Sequence, residues 1–120
     1  PYWIHDSDHV EKLPNVMVLF DDANADNGCF RVIDSSHRAG CLPGCEDGRQ
    51  LQGFYTHPDC VDESAQVLTE APAGSAIFFD PYIVHGSGAN LSESPRRAII
   101  ITYQPAGFTT LKSGRVREIR

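Results

Sequence analysis

The sequence has no long hydrophobic run, few cysteines and no excess of basic residues. A membrane-spanning helix needs about 20 apolar residues, and the longest apolar runs here are the short stretches 16–20, 76–79 and 98–101. With 10 Lys+Arg against 16 Asp+Glu, the formal net charge is −6, so we expect neither nucleic-acid binding nor anionic-membrane binding. The four cysteines form no C-x-x-C pair and are too few for a disulfide scaffold in 120 residues. We therefore expect a soluble, cytoplasmic protein with reduced thiols.

What the sequence does contain is ten Gly and eight Pro between short apolar runs, a pattern typical of strands joined by turns. It predicts one all-β domain over residues 1–120. Asn27-Gly28 is a strong hairpin signal and predicts that the strands before and after it pair with each other. Residues 34–64 form a long irregular loop, and residues 106–120 form a peripheral tail. One helical turn is expected over residues 8–13, and strands are expected at 15–20, 29–33, 65–69, 75–79, 82–85 and 97–103.

The segment from His85 to Arg96 carries the most informative chemistry. His85 ends an apolar run and is followed by Gly-Ser-Gly, which allows a close approach to the backbone. Arg96 opens the next strand eleven residues later, and a guanidinium can bind a carboxylate through two parallel hydrogen bonds. If the two strands are antiparallel neighbours, both side chains project into one cavity. Each residue alone is more often structural, but together they fit a metal enzyme with a dicarboxylate co-substrate.

Several blocks of the sequence closely resemble the phytanoyl-CoA dioxygenase family of Fe(II)/2-oxoglutarate oxygenases. Residues 85–90 (H-G-S-G-A-N) match the family's H-G-S-x-x-N block, and residues 96–98 (R-R-A) match its R-R/K-A strand. Residues 19–40 are similar to its stretch that ends in S-H-R-A-G, and residues 74–79 (G-S-A-I-F-F) to its G-D-x-x-F-F strand. The blocks follow the family's order over roughly residues 1 to 105.

The resemblance implies a double-stranded β-helix, also called a jelly roll or cupin-like fold, that is incomplete at the N-terminus. By the same resemblance, His85 is the distal iron ligand, Arg96 binds the far carboxylate of 2-oxoglutarate, and Ser87 lies near that co-substrate. Arg97 is the alternative if the register shifts by one, because successive strand residues face opposite sides. The implied reaction uses dioxygen to hydroxylate a small organic substrate, with oxidative decarboxylation of 2-oxoglutarate to succinate and CO2.

The sequence also departs from the family pattern. The family's H-x-D motif, which supplies two metal ligands, normally precedes an aromatic stretch like Pro1-Tyr2-Trp3, where this sequence begins. We therefore expect 1–120 to be the C-terminal portion of the catalytic domain, lacking that motif and binding iron poorly alone. An alternative is that His9 and Glu11, an H-x-E, complete the metal site with His85. Asp34-Ser35 also stands where the family usually has Pro-Gly.

Three further hypotheses concern the loop and the strand edges. Two Cys/His groups at short spacing could form a tetrahedral zinc site in a non-catalytic β-barrel binding module; the candidate ligands are His37, Cys41, Cys45, His57 and Cys60. A Cys41–Cys45 disulfide is a further option in an oxidising compartment. Because unpaired strand edges invite pairing with another chain, a homodimer through open edges is also plausible.

Overall fold

The structure, a computed structural model, describes residues 9–43 and 56–108, together with the backbone of two short strands between them. Within these residues there is no α-helix, and the regular structure consists of strands and four single turns of 3-10 helix. None of the described helices is long and apolar enough to cross a membrane. The 3-10 turns are Val10–Lys12, Ser36–Ala39, Pro58–Cys60 and Glu63–Ala65. The strands are β1 (Asn15–Leu19), β2 (Phe30–Ile33), β3 (Cys45–Glu46), β4 (Arg49–Gln50), β5 (Gln66–Leu68), β6 (Ala76–Phe79), β7 (His85–Ser87) and β8 (Ala98–Thr102).

Six of these strands form two antiparallel three-stranded sheets. One sheet has the order β6-β1-β8 and the other has the order β5-β2-β7. In the first sheet Met17 lies opposite Ile77 and Ile100. In the second, Val32 lies opposite Val67 and His85. Strands β3 and β4 form a separate two-stranded hairpin.

The core lies between the two sheets and contains side chains from both. Met17 and Leu19 from β1 pack in one cluster with Phe30 from β2, because alternate residues of each strand face the same side. The rings of Phe30 and Phe79 bridge the sheets with their centroids 5.0 Å apart. Two facing antiparallel sheets of this kind are the arrangement of the expected double-stranded β-helix.

The opposite face of the β6-β1-β8 sheet is also apolar. Phe78 is 75% exposed there, and Ile99 and Ile101 are exposed on the same face. A continuous apolar run such as 15–20 predicts a strand that is buried on both faces. In the structure Val16 is buried on this second face, but Val18 is only partly buried.

The predicted hairpin at Asn27-Gly28 is wrong. The turn is present, but β1 and β2 do not pair with each other and belong to different sheets. Gly28 has a φ of +73°, which the left-handed turn requires. The turn connects β1 in one sheet to β2 in the other. The Asn-Gly signal therefore predicted the turn correctly, but it did not determine whether the flanking strands pair with each other.

Other sequence-based boundaries agree with the structure to different degrees. The strands predicted near β5, β6 and β8 are confirmed to within one residue at each end. The strand predicted at 82–85 is shifted, since pairing begins only at His85 and continues to Ser87. The 34–64 loop contains three 3-10 turns and the β3-β4 hairpin, so it is less irregular than expected. The helical turn begins at Val10 after His9, and the expected cap Asp8 lies outside the described residues.

Candidate active site

His85 begins β7 and is exposed, on the face of the sheet that also carries Phe30 and Val32. Its ring centroid lies 5.2 Å from those of both Phe30 and Phe79, so the imidazole packs against an aromatic corner between the two sheets. The Nδ1 atom lies 2.8 Å from the carbonyl oxygen of Ile83. A carbonyl can only accept, so Nδ1 carries a proton, and the neutral tautomer with this bond has its lone pair on Nε2. A backbone acceptor on one ring nitrogen is the usual support of a histidine that binds a metal through the other.

The backbone before His85 is held by residues of the neighbouring segment 33–36. The Val84 N–H donates to Ser36 Oγ at 2.9 Å, and the Val84 carbonyl accepts from the Ile33 N–H at 2.9 Å. Both polar groups of Val84 are therefore paired immediately before the histidine. This fixes the direction in which β7 starts, and with it the position of the imidazole.

Arg96 and His85 do not come from neighbouring strands, which corrects the geometry expected from the sequence. Arg96 directly precedes Arg97 and β8 in one sheet, whereas His85 lies in β7 of the other. The two residues therefore do not share a strand ladder. Arg96 is half-buried, and its Nε donates to the carbonyl oxygen of Asn27 at 3.0 Å.

Arg97 has a different environment from Arg96. Its Nε and one terminal nitrogen donate to the two carboxylate oxygens of Asp21 at 3.0 and 2.8 Å, and its backbone N–H donates to the same carboxylate at 2.7 Å. Ala98 and Ile100 lie opposite Leu19 and Met17, which are in the core. By strand alternation Arg96 shares their side of the sheet and Arg97 lies on the other. This arrangement favours Arg96 over Arg97 as a residue that can face a ligand between the sheets.

The Asp21–Arg97 pair is the main electrostatic feature beside this region. The hydrogen bonds from the Arg97 side chain and backbone lower the pKa of the Asp21 carboxyl from 3.8 to about 2. The Asp21 side chain is only 16% exposed, while that of Arg97 is 71% exposed. The pair thus fixes the start of β8 immediately after Arg96.

Ser87 lies two residues after His85 on the same face of β7, opposite Phe30. It is exposed, so its hydroxyl lies on the histidine side of the sheet without being buried there. The following residue, Gly88, lies against Gly28: a Cβ added at Gly28 would come within 2.6 Å of the Ala89 carbonyl oxygen. The turn before β2 and the loop after His85 are therefore in direct backbone contact.

The alternative metal ligands near the start of the chain do not join His85. His9 Nδ1 lies 3.6 Å from Glu11 Oε1, and the His9 ring packs against Phe108 with centroids 5.2 Å apart. Among the described residues, no three His, Cys, Asp or Glu side chains come together as a metal site. The arrangement of His9, Glu11 and His85 as one set of ligands is therefore wrong.

The zinc hypothesis for the 37–60 loop has no support in the described part of the chain. Cys41 is exposed and Cys60 partly buried, and both are free thiols. His57 instead caps the turn Pro58–Cys60, because its Nδ1 accepts from the Asp59 N–H at 3.3 Å. The side chain of Cys45, and with it the Cys41–Cys45 disulfide, lies outside the described residues.

Sequence reasoning missed the role of Asn27, which it treated only as half of a turn signal. Asn27 is 3% exposed and has the only buried polar or charged side chain among the described residues. The spacing of Asn24 and Asn27 could have indicated that their side chains bond each other's backbone across the turn. The bond from Arg96 to the Asn27 carbonyl had no such signal, because every residue type has that oxygen.

A known protein family and several known sequences are similar to this chain. A family model described as "Phytanoyl-CoA dioxygenase (PhyH)" matches residues 2–98. The chain is 31% identical over 80 residues to a probable phytanoyl-CoA dioxygenase of Caenorhabditis elegans, which covers 64% of this chain and 26% of that protein. It is 32% identical over 124 residues to an ectoine dioxygenase of Bordetella bronchiseptica, covering 85% of this chain and 40% of that protein. The chain therefore spans less than half of either relative.

Solved structures show the same fold. The crystal structure of EvdO2 from Micromonospora carbonacea matches with a TM-score of 0.61 at 27% identity, covering 75% of this chain and 37% of EvdO2. EvdO2 has also been solved in complex with 2-oxoglutarate. The chain therefore shares the sheet-rich fold of EvdO2.

Proposed function

Because the chain belongs to the phytanoyl-CoA dioxygenase family, whose members are Fe(II)/2-oxoglutarate-dependent enzymes, we propose that it forms part of such a dioxygenase. In this proposal His85 binds the iron, Arg96 binds the far carboxylate of 2-oxoglutarate, and Ser87 lies beside the co-substrate. The observation that carries it is that two residues from different sheets are held by one segment, residues 27–30. Arg96 bonds the Asn27 carbonyl at 3.0 Å, and the His85 ring packs on Phe30.

The side chains present fit the metal and the co-substrate. His85 offers Nε2, since Nδ1 already faces the Ile83 carbonyl at 2.8 Å. Iron sites of this kind use two histidines and one carboxylate and leave positions open. In this proposal His85 is one such ligand, and the described residues contain no group of three His, Cys, Asp or Glu side chains that could hold a metal. Metal affinity depends on several ligands acting together, so we expect residues 1–120 alone to bind Fe(II) weakly.

Arg96 fits the far carboxylate of a dicarboxylate. With its Nε bonded to Asn27, its two terminal nitrogens remain to form the pair of parallel bonds that a carboxylate accepts. The half-buried position of the side chain strengthens such bonds compared with bulk water. When bound, iron and 2-oxoglutarate supply the oxidising chemistry: 2-oxoglutarate gives succinate and CO2, one oxygen atom enters succinate and the other hydroxylates the substrate.

We propose a small organic molecule as the substrate. The support is the chemistry of the relatives by name, which includes an ectoine dioxygenase and an L-proline trans-4-hydroxylase of Streptomyces griseoviridis, 29% identical over 119 residues. The 34–64 loop includes Ser36, whose hydroxyl accepts from the Val84 N–H directly before His85, and this contact supports a role of the loop in substrate specificity. A cytoplasmic location and a homodimer through open strand edges stay predictions.

The proposal is tested in the natural protein with two adjacent arginine variants. Arg96→Lys should weaken binding of 2-oxoglutarate about tenfold or more, since lysine cannot form the paired bonds. Arg97→Lys is the matched control, because Arg97 is engaged by Asp21, and it should leave the dissociation constant within about twofold. Isothermal titration calorimetry under anaerobic conditions measures both. A larger effect for Arg97→Lys than for Arg96→Lys would overturn the assignment.

The metal role of His85 needs its own measurement. His85→Ala should abolish stoichiometric Fe(II) binding by the natural protein, measured by metal analysis after anaerobic gel filtration. His37→Ala removes a histidine from the loop and serves as the control, with full iron content expected. Unchanged iron content in His85→Ala would contradict the proposal.

A further inference from the structure

The turn formed by residues 24–28, referred to below as the Asn24–Asn27 turn, contacts both halves of the proposed site. From this turn the Asn27 carbonyl accepts from Arg96 Nε at 3.0 Å. The Asp26 carbonyl accepts from the Leu91 N–H at 2.9 Å, in the loop that joins β7 to Arg96. Gly28 lies against the backbone of Gly88 in the same loop. The turn thus supports the Arg96 side chain directly and the loop after His85 through the backbone.

The turn is rigid because its two asparagines bond each other's backbone. The Asn24 N–H donates to Asn27 Oδ1 at 2.9 Å, and the Asn27 N–H donates to Asn24 Oδ1 at 3.0 Å. Asn27 Nδ2 donates to the Asp22 carbonyl at 2.8 Å. The side chain of Asn27 is 3% exposed, so water is a poor substitute for these bonds. They leave the Asn27 carbonyl pointing in one direction.

We propose that Asn27 is a positioning residue for Arg96, an inference that rests on the function proposed above. The Asn27 carbonyl accepts from Arg96 Nε, so the guanidinium edge formed by Nε and one terminal nitrogen cannot bind a ligand. The end-on pair of terminal nitrogens is then the edge that receives the far carboxylate of 2-oxoglutarate. The Asn27 side chain acts indirectly, because its hydrogen bonds hold that carbonyl in place.

The contrast with Arg97 supports this assignment. Arg97 meets the Asp21 carboxylate side-on, through Nε and one terminal nitrogen. Arg96 has the same chemistry but meets only a neutral carbonyl at Nε, so its charge is not neutralised by a described carboxylate. Because its partner is uncharged, the half-buried guanidinium of Arg96 can still form an ion pair with an anionic ligand.

The test uses glutarate as the probe, because it has both carboxylates of 2-oxoglutarate but lacks the 2-oxo group that chelates a metal. In the natural protein, Asn27→Ala should weaken glutarate and 2-oxoglutarate binding about fivefold. Asn27→Ser should recover part of the loss, since a serine hydroxyl can replace the Asn24 bond more weakly. Thr69→Val is the control for stability, because it removes a half-buried bond to the Phe30 carbonyl without contacting Arg96. It should lower the melting temperature without weakening glutarate binding.

A double-mutant cycle separates positioning from a general structural effect. Lysine has no Nε–H, so the fivefold loss caused by Asn27→Ala should disappear in an Arg96→Lys background. In 15N spectra, the Arg96 Nε–H signal, identified by its loss in Arg96→Lys, should exchange with water faster in Asn27→Ala. An undiminished effect of Asn27→Ala in the Arg96→Lys background would overturn the positioning role.

The failure of this inference is distinguishable from the failure of the proposed function. Unchanged glutarate binding in Arg96→Lys would remove the basis of both. Weakened binding in Arg96→Lys together with wild-type binding in a folded Asn27→Ala variant would leave the function standing and refute the role of Asn27 alone.

Discussion

Asp21 and Arg97 form a side-on ion pair in which both carboxylate oxygens accept from the guanidinium, at 3.0 and 2.8 Å, and one of them also accepts from the Arg97 N–H. This pair joins the end of β1 to the start of β8. It also distinguishes two adjacent arginines, because the carboxylate binds Arg97 whereas Arg96 donates to the Asn27 carbonyl. An Arg-Arg pair that looks equivalent in sequence is therefore distinguished by one aspartate that lies 76 positions before Arg97.

The first prediction concerns acid stability. The pKa of Asp21 is about 2 in the folded protein, below its ordinary value of 3.8. A depressed carboxyl pKa stabilises the folded state above pH 3.8, and this contribution is lost as pH falls from 3.8 to about 2. Asp21→Asn should therefore lower stability at neutral pH and flatten the pH dependence in that window. Urea midpoints at several pH values measure this, with Asp26→Asn at the neighbouring turn as the control for charge removal. A wild-type pH slope in Asp21→Asn would contradict it.

The second prediction concerns the contact between Gly28 and Gly88. Gly28 and Gly74 have similar φ angles, +73° and +84°, but nothing lies within 4 Å of a Cβ built at Gly74. Gly74→Ala should therefore lower the free energy of unfolding by about 1–2 kcal/mol, because alanine must adopt the left-handed conformation. Gly28→Ala must also displace the Gly88 and Ala89 backbone, which adds about 1–3 kcal/mol. Chemical denaturation gives both values, and equal losses in the two variants would show that the turn and loop are not in contact.

The sequence predicted those parts of the fold that depend on local chemistry. Continuous apolar runs placed β1 and β8, and the resemblance to a known family indicated the roles of His85 and Arg96. Which strands are neighbours was not predictable, since alternation shows which residues share a face but not which strand lies alongside. Asn27-Gly28 is compatible both with a hairpin and with a crossing between sheets.

The supports of the site were harder to predict than its chemical groups. Arg96 is held by the Asn27 carbonyl and His85 by the Ile83 carbonyl. Every residue has a backbone carbonyl, so these contacts cannot be recognised from the residue type. The side chain that bonds Val84, Ser36, lies in a loop almost 50 positions earlier. Sequence patterns with a period of two to four residues contain no information about contacts over that separation.

The third prediction uses two adjacent serines with opposite expected effects. Ser35 has a φ of +58° and is the only non-glycine described residue with a positive φ. Ser35→Gly should stabilise the protein by about 0.5–1 kcal/mol, because relief of the left-handed conformation exceeds the greater entropy of the unfolded chain. Glycine is also usual there in the family pattern. Ser36→Gly should instead cost about 1–2 kcal/mol, since it removes the bond to Val84 and a side chain. Thermal denaturation compares the two, and a destabilised Ser35→Gly variant would refute the argument.

The last prediction orders the cysteines by reactivity. Cys29 is 1% exposed, and burial, together with the nearby Glu70 carboxylate, raises the pKa of its thiol. Alkylation proceeds through the thiolate, so Cys29 should react with iodoacetamide only when the protein unfolds. Cys41 is exposed and should react first, followed by the partly buried Cys60. Peptide mass spectrometry of a labelling time course measures this order, and the same experiment in urea should make all three react alike. Rapid native labelling of Cys29 would show that the core between the sheets opens readily, whereas zinc-dependent protection of Cys41 and Cys60 would contradict the free thiols found in the loop.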